Sequence, residues 1–435
     1  MEKIGKYNIV KQLGSGATSV VYHGVDPFIN RDVAIKLFHP EALKNVESGK
    51  VYKKLFFNEA SLAGKLQHPH IASIYDAVVD EDLSYLVMEY VEGRTLEKFG
   101  EVDHLLELDH VVEIIYKCCK ALEYAQQHGI IHRDIKLANI LLKGEDDIKI
   151  TDFGASIGKH SLNTTQVSGL GSPAYMSPQQ IKEQELTHQT DIYSLGVVMY
   201  KMLTGRLPFS AANNYGMIYQ ILNAEVLPPS AYRPDIPPAL DAIVMRAIAR
   251  ELTQRYVLWD EFAERLADVL GLVEHSRGAI PDAEKFDILR GLTFFQNFSD
   301  VELWEVLRFT SWHKFPKGSM LINEGDTGKS FFIIAEGEVK VVKQDELLNM
   351  LKSGDCFGEM AYSAKRTFKR TTSVISVSDI TVIEAEADSL AMASENCRHR
   401  FNEAFLEILV ERLALADTRL SSLLAERVKT GAANG

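Results

Sequence analysis

Three groups of residues in this sequence have the types and spacing for chemistry on a phosphate-bearing ligand. The first is the turn Leu13-Gly14-Ser15-Gly16, followed by Val21. Gly14 and Gly16 lack a Cβ, so the backbone can come close to a phosphate. The second is Lys36, which closes the apolar run Val33-Ala34-Ile35. A cation in such a strand is costly unless it is paired, and Glu59, on a helix expected from Leu55 to Leu66, can supply the carboxylate. The third is the run from His132-Arg133-Asp134 through Lys136 to Asn139, with Asp152-Phe153-Gly154 following a short strand.

The ordered set resembles the eukaryotic-type protein kinase family over roughly residues 7–265. The resemblance implies a role for each position. Gly14, Ser15, Gly16 and Val21 would cover the phosphates of ATP, with Ala34 nearby. Lys36 would hold the α- and β-phosphates and pair with Glu59. Asp134 would accept the proton of the substrate hydroxyl, and Lys136, typical of the Ser/Thr-directed branch, would neutralise the γ-phosphate. Asn139 and Asp152 would hold Mg²⁺. Glu89 to Val91 would form the hinge that meets adenine, with Met88 behind it, and Asp191 would orient the backbone of the His-Arg-Asp turn. The physical logic agrees. Phosphoryl transfer asks for in-line positioning and neutralisation of about four negative charges on ATP, and Asp and Asn oxygens are hard donors suited to Mg²⁺.

Some positions depart from the family pattern. Ser19 stands for the third glycine and Leu137 for a common proline. Gln179 replaces a glutamate whose usual partner would here be Arg255, so an ion pair is lost and a less stable activation segment is expected. Arg133 before Asp134 accompanies activation by phosphorylation in this family. The candidates are Thr164, Thr165 and Ser168, where a phosphate could pair with Arg133. Ser172 is read as part of the substrate platform.

A fourth group lies near the C-terminus. Lys365, Arg366, Lys369 and Arg370 reverse the sign of charge locally in an acidic chain. With Gly318, Gly325-Asp326, Phe331-Phe332, Gly337 and the run Phe357-Gly358-Glu359-Met360-Ala361, residues 291–420 resemble the cyclic-nucleotide-binding domain family. The resemblance implies that Glu359, beside Gly358, binds a ribose 2′-hydroxyl. Arg370 would bind the cyclic phosphate, whose oxygens suit a planar guanidinium, and Thr371 and Thr372 would offer further donors. Cyclic AMP or cyclic GMP is the effector it implies. Lys369 stands where the family often has proline, and a cyclic dinucleotide could also use the extra cations.

These groups need elements to hold them. β-branched, part-alternating runs predict strands through residues 7–90, and longer helical patterns, such as Leu108 to Gln127 and Thr190 to Leu203, follow to about residue 270. Gly-punctuated short strands after residue 291 suggest a small antiparallel barrel or jelly roll, and the glycines fit the tight corners of the eight-strand roll that the resemblance implies. A last helix is expected from about Arg398 to Arg427. Its apolar residues Phe401, Phe405, Ile408, Leu409, Leu413, Leu420, Leu423 and Leu424 recur at three- and four-residue steps, which reads as a face packed on its own domain. The fold class is therefore α+β: a bilobal protein kinase fold followed by a β-roll (jelly-roll) cyclic-nucleotide-binding domain with flanking helices. The boundaries are a kinase domain at 1–270 (N-lobe about 7–90, C-lobe about 91–270), a linker at 271–290, the nucleotide-binding unit at 291–420, and the helix end and tail at 421–435.

Composition limits the remaining possibilities. A chain of 435 residues suggests about three structural units. With 47 basic against 60 acidic residues, net −13, it is a poor general binder of nucleic acid. No apolar run reaches the roughly 18 residues of a membrane span, and the N-terminus lacks a signal-peptide pattern. The four cysteines, Cys118, Cys119, Cys356 and Cys397, make no disulfide framework, as expected of reduced thiols in a cytoplasmic protein. The expected partners are a protein with an acceptor Ser or Thr and a cyclic nucleotide, with no nucleic acid and no membrane; the oligomeric state stays open. Two other readings are a catalytically silent pseudokinase scaffold with a partner-docking barrel, and an active kinase whose barrel serves only dimerisation.

Overall fold

A computed structural model describes residues 2–16, 19–39, 66–79, 83–144, 147–153, 173–274, 280, 282–344, 346–359 and 369–432. Its chain contacts divide into two compact units, Met1–Ala283 and Glu284–Gly435.

The first unit opens with an antiparallel sheet of strands β1 (Lys3–Ile4), β2 (Tyr7–Ser15), β3 (Ser19–Asp26), β4 (Arg31–Phe38), β5 (Ile74–Val79) and β6 (Ser84–Glu89), in the order β1-β2-β3-β4-β6-β5. Side chains alternate across a strand, and β4, in the middle, is apolar on both faces. Val33 and Ile35 pack with Ile4, Tyr7, Tyr85 and Val87 on one side. Ala34 and Phe38 pack with Leu86 and Met88 on the other, where Val21 and Ile74 join them. The even-numbered face is the one that carries Lys36.

The rest of this unit is mainly helical. It holds α1 (Leu108–Gln127), α2 (Pro178–Ile181), α3 (Gln189–Thr204), α4 (Asn214–Asn223), α5 (Pro238–Ala247) and α6 (Trp259–Glu274), with a small antiparallel sheet of β7 (Arg94–Thr95), β8 (Ile140–Lys143) and β9 (Asp147–Ile150). Helix α1 is buried on most of its circumference, from Val111 to Ala125, which makes it the centre of this half. Cys118 and Cys119 lie in that helix; all four cysteines are free and buried, and burial pushes both of these thiols up. Helix α3 ends at Gly205 in the left-handed region (φ 72°). A Cβ there would stand 2.8 Å from the backbone nitrogen of Val102, so glycine is needed for both reasons. The expected helix around Glu59 lies outside the described residues.

Helix α7 (Asp282–Gly291) spans the boundary between the units. In the second unit it is followed by α8 (Asp300–Phe309), whose N-terminus is closed by a reciprocal capping box between Ser299 and Glu302. Eight strands then form two four-stranded antiparallel sheets. These are β10 (Thr310–Phe315), β11 (Met320–Ile322), β12 (Ser330–Glu336), β13 (Glu338–Lys343), β14 (Glu346–Lys352), β15 (Cys356–Phe357), β16 (Ser373–Ser376) and β17 (Ile380–Glu386). The orders are β10-β17-β12-β15 and β11-β16-β13-β14, the expected roll. Ile334, Val339, Leu351, Phe357, Val374 and Val382 fill it.

After α9 (Ala387–Ala391), the last helix α10 runs Glu395–Ala432. Here the expectation of a packed face needs correction. Phe401 and Phe405 are buried, but Leu406, Leu409, Val410 and Leu413 are 63%, 42%, 59% and 68% exposed. Among the described side chains the aromatic core meets the helix at its first turns, where Phe401 and Phe405 meet Phe294 and Phe331; the side chains of Leu420, Leu423 and Leu424 lie outside the described ones. Among the described residues no helix is long and apolar enough to cross a membrane.

Candidate functional site

The sheet register gathers the first set of residues. Val21 lies opposite Lys36 on β3 and β4, and Ala34 lies opposite Met88 on β4 and β6. All four therefore share the even face described above. Among the described residues a Cβ at Gly14 would meet nothing within 4 Å, and one at Gly16 only the Ser19 carbonyl at 3.8 Å. The turn is thus held by its own bond, Gly16 N–H to Ser19 O at 2.8 Å, and leaves room that side chains would take up.

Lys36 Nζ donates to Asp152 Oδ1 at 2.7 Å, so the structure joins two motifs far apart in sequence. Desolvation raises the Asp152 carboxyl, and the Lys36 charge and hydrogen bond more than offset it, leaving it below the usual carboxylate range. Glu59 lies outside the described residues.

At the expected hinge, the Glu89 N–H and one oxygen of its carboxylate are already engaged. Its N–H donates to Ser73 O at 2.8 Å. Its carboxylate accepts from Lys149 Nζ at 2.8 Å and from the Ser73 N–H at 3.2 Å. Val91, two residues on, is half-buried.

The His132–Asn139 loop is a second knot. Lys136 Nζ donates to Asp134 Oδ2 at 2.8 Å, and Asn139 Nδ2 donates to the same oxygen at 3.0 Å and to Asp134 O at 2.8 Å. The Asn139 amide is thereby oriented, with Oδ1 turned from Asp134. Two residues here carry positive φ without being glycine: Arg133 at 66° and Asp152 at 62°. Such conformations cost on the order of 1–3 kcal/mol and persist only where the surroundings fix them. For Arg133 the fixing is visible. Asp191 accepts from the His132 and Arg133 N–H groups at 2.8 and 2.7 Å, and burial pushes its carboxyl up. His132 is fully buried and sits between Thr151 O, at 2.9 Å from Nε2, and the Phe153 ring, at 4.5 Å between centroids.

Sequence reasoning missed Gln180. Its side chain donates to Arg133 O at 2.8 Å while closing the capping box of α2 with Ser177, which ties the Ser177–Gln180 segment to the Asp134 loop. The Arg255 expectation is met in part. Arg255, fully buried, donates to Gln179 Oε1 at 3.2 Å, but also to Ala249 O at 2.6 and 2.9 Å, Gln189 O at 2.8 Å and Arg250 O at 3.2 Å. Backbone carbonyls surround the guanidinium in place of the family's carboxylate. The activation candidates Thr164, Thr165 and Ser168, and Ser172, lie outside the described residues. Arg133 Nε is buried and has no hydrogen-bond partner among the described residues, and desolvation lowers the guanidinium's pKa.

In the second unit, Arg370 is tied into the roll twice by its backbone: Gly325 N–H to Arg370 O at 2.8 Å and Arg370 N–H to Asp326 O at 2.7 Å. Its guanidinium, half-buried and lowered in pKa by desolvation, donates to Gly358 O at 3.2 Å and Ser330 O at 2.6 Å. Among the described residues two of its five guanidinium donors are thus committed. Gly358 has φ 77°, and a Cβ there would stand 2.7 Å from Arg370 Nη1, which explains the glycine. Glu359 is buried and held by Arg412, a residue of α10 that the sequence did not single out, at 2.7 Å. Thr371 is exposed and Thr372 half-buried. Residues 360–368, with Lys365 and Arg366, lie outside the described residues.

Comparison with known proteins agrees with both halves. A family model described as "Protein kinase domain" matches residues 7–262, and one described as "Cyclic nucleotide-binding domain" matches residues 312–396. The chain is similar to a probable serine/threonine-protein kinase of Clostridium acetobutylicum, 36% identical over 61% of this chain and 40% of that protein. Serine/threonine-protein kinase PknB of Mycolicibacterium smegmatis is 35% identical over 64% of this chain and 44% of its own length. Serine/threonine-protein kinase PrkC of Bacillus subtilis is 35% identical over 58% and 38%. The chain thus spans less than half the length of each of these relatives. With the kinase match covering more than half of its residues, the chain belongs to the protein kinase domain family, and a cyclic nucleotide-binding domain lies in the same chain.

Proposed function

We propose that the protein transfers the γ-phosphate of ATP to serine and threonine hydroxyls of protein substrates, and that cyclic AMP or cyclic GMP bound at the second unit regulates the transfer. The observation that carries the first half is the meeting of Lys36 with Asp152 and of Asp134 with Lys136 and Asn139. Gly14, Ser15, Gly16 and Val21 cover the phosphates, in the room left at the two glycines. Ala34 and Met88 flank the base, and Glu89 O with the Val91 backbone meets its edge. Lys36 holds the α- and β-phosphates, and Lys136 neutralises charge on the transferred group. Asp134 accepts the proton of the attacking hydroxyl.

Two hard oxygens, Asn139 Oδ1 and the Asp152 carboxylate, fit Mg²⁺, which takes few protein ligands and shares the rest with phosphate and water. When bound, the ion neutralises phosphate charge as a Lewis acid. A phosphate on Thr164, Thr165 or Ser168 pairs with Arg133, whose half-buried guanidinium has a donor to spare. The domain division of this reading is a kinase domain at 1–270, a linker at 271–290, the nucleotide-binding unit at 291–420 and a tail at 421–435.

The second half rests on Glu359 and Arg370. Three donors of the Arg370 guanidinium have no partner among the described residues and serve the cyclic phosphate, with Thr371 and Thr372 beside it. A ligand that binds better to one arrangement of the chain shifts it toward that arrangement, by no more than its differential affinity.

The test is phosphorylation of the chain itself and of a generic protein substrate with Mg-ATP, with and without cyclic AMP and cyclic GMP, in the wild type and Arg370→Ala. The expected result is phosphotransfer whose rate changes with one cyclic nucleotide and no longer does so in Arg370→Ala. Phosphotransfer indifferent to both nucleotides would sink the regulatory half; no phosphotransfer from ATP would sink the first.

A further inference from the structure

Helix α10 leaves the aromatic core after Phe405, yet its inward face continues. Seven residues on, two turns and about 10 Å along the axis, the same face presents Arg412. Its Nη1 donates to Glu359 Oε1 at 2.7 Å, and its Nη2 donates to the carbonyl of Cys356. The guanidinium is 30% exposed and the Glu359 carboxylate 11%. The contact thus grips both the end of β15 and the carboxylate just beyond it. Glu359 Oε2 accepts no hydrogen bond among the described residues, so the carboxylate is held by one oxygen and offers the other.

We infer that Arg412 is a positioning residue of the effector site: it fixes Glu359 through Oε1 so that Oε2 accepts the ribose 2′-hydroxyl. This rests on the reading of Glu359 as the ribose acceptor. The Arg370 charge also acts on this little-exposed carboxylate, but among the described residues Arg412 alone donates a side-chain hydrogen bond that fixes its orientation. That bond is charge-assisted and comes from a group that also donates to a backbone carbonyl. The exposed face of the same helix, at Leu406, Leu409, Val410 and Leu413, takes no part. Arg412 therefore makes the seating of the C-terminal helix and recognition of the ribose hydroxyl one event.

The experiment is calorimetric titration of the full chain with cyclic AMP and cyclic GMP and with their 2′-deoxy analogues, in wild type, Arg412→Gln and Arg412→Lys. Melting curves are recorded for each. A hydrogen bond to a charged group sets the wild-type preference for the ribose form at about 10-fold or more. Arg412→Gln should weaken the ribose form about 10-fold and leave the deoxy form nearly unchanged, so that the preference collapses toward unity. Arg412→Lys, which keeps one charged donor, should restore part of it.

A structural role alone would weaken both forms alike, and that result, in either variant, overturns the inference. So does an unchanged preference in Arg412→Gln. Binding to the wild type without preference for the ribose form overturns it as well, by removing Glu359 as the acceptor. If the wild type binds none of the four ligands, the effector reading itself falls and Arg412 is left a clamp between α10 and β15. If Arg412→Gln does not fold, Arg412→Lys decides by the same ratio.

Discussion

Asp134→Asn is expected to lower phosphotransfer by about 10²–10⁴-fold, the range for loss of a general base, while leaving the fold in place. The geometry explains the separation. Asp134 Oδ2 accepts from Lys136 and Asn139, and an asparagine can offer its single oxygen to both. The amide nitrogen then takes the place of Oδ1 and cannot receive a proton. The side chain is 41% exposed, so the substitution leaves no buried group unsatisfied, and stability should move by less than about 0.5 kcal/mol. The measurement is the initial rate with saturating Mg-ATP beside a melting curve. A rate within about 10-fold of wild type would remove Asp134 as the base. A large rate loss with an unchanged melting curve would exclude the silent-scaffold reading, because a chain without chemistry has no rate to lose.

The sequence made the linear motifs legible, and with them the fold. The Val-Ala-Ile-Lys strand, the Asp134 loop and the Asp152 turn each place functional side chains by local rules of alternation and turn conformation, and those rules act within a few residues. The eight-strand roll was legible for the same reason, through the glycines at its corners. What the sequence did not disclose are partners chosen by packing over long distances. Gln180 reads as an ordinary polar residue in a short helix, and only the fold brings it against Arg133 O. Arg412 reads as one more charge on a long helix. The apolar spacing of that helix continues far past Phe405, but spacing records which residues share a face and not whether anything covers it. Burial of Phe401 and Phe405, and exposure of Leu409 and Leu413, are decided by where the aromatic core of the roll ends.

Arg255→Ala is the second change expected to have a large effect, here on stability. At Arg255 the sequence identifies the missing glutamate, and the structure shows what replaced it. The fully buried guanidinium donates to Ala249 O, Arg250 O, Gln189 O and Gln179 Oε1. It thereby fastens the start of α2, the start of α3 and the segment after α5 to one another. Desolvation draws its pKa down to about 10. Because that lies below the ordinary value, the folded state holds this proton less tightly than the unfolded chain. The cost is therefore fully present at every pH below about 10 and is relieved progressively as pH rises from there towards the ordinary guanidinium value. The cation is kept for the carbonyls that it satisfies. Removing it leaves several buried acceptors without donors, each worth about 1–3 kcal/mol, and a cavity besides. A net loss of about 3–5 kcal/mol follows, read as a fall on the order of 10 °C in Tm for the transition of the first unit. Gln179→Glu, which restores the family's ion pair, should gain little. The new carboxylate would face Arg255, but the bond from Gln179 Nε2 to Arg250 O at 2.9 Å would be lost and two oxygens would oppose each other there. Its expected shift is within about 1 kcal/mol. A gain of several kcal/mol in Gln179→Glu, or a loss under about 1 kcal/mol in Arg255→Ala, would mean that charge pairing rather than carbonyl satisfaction governs this cluster.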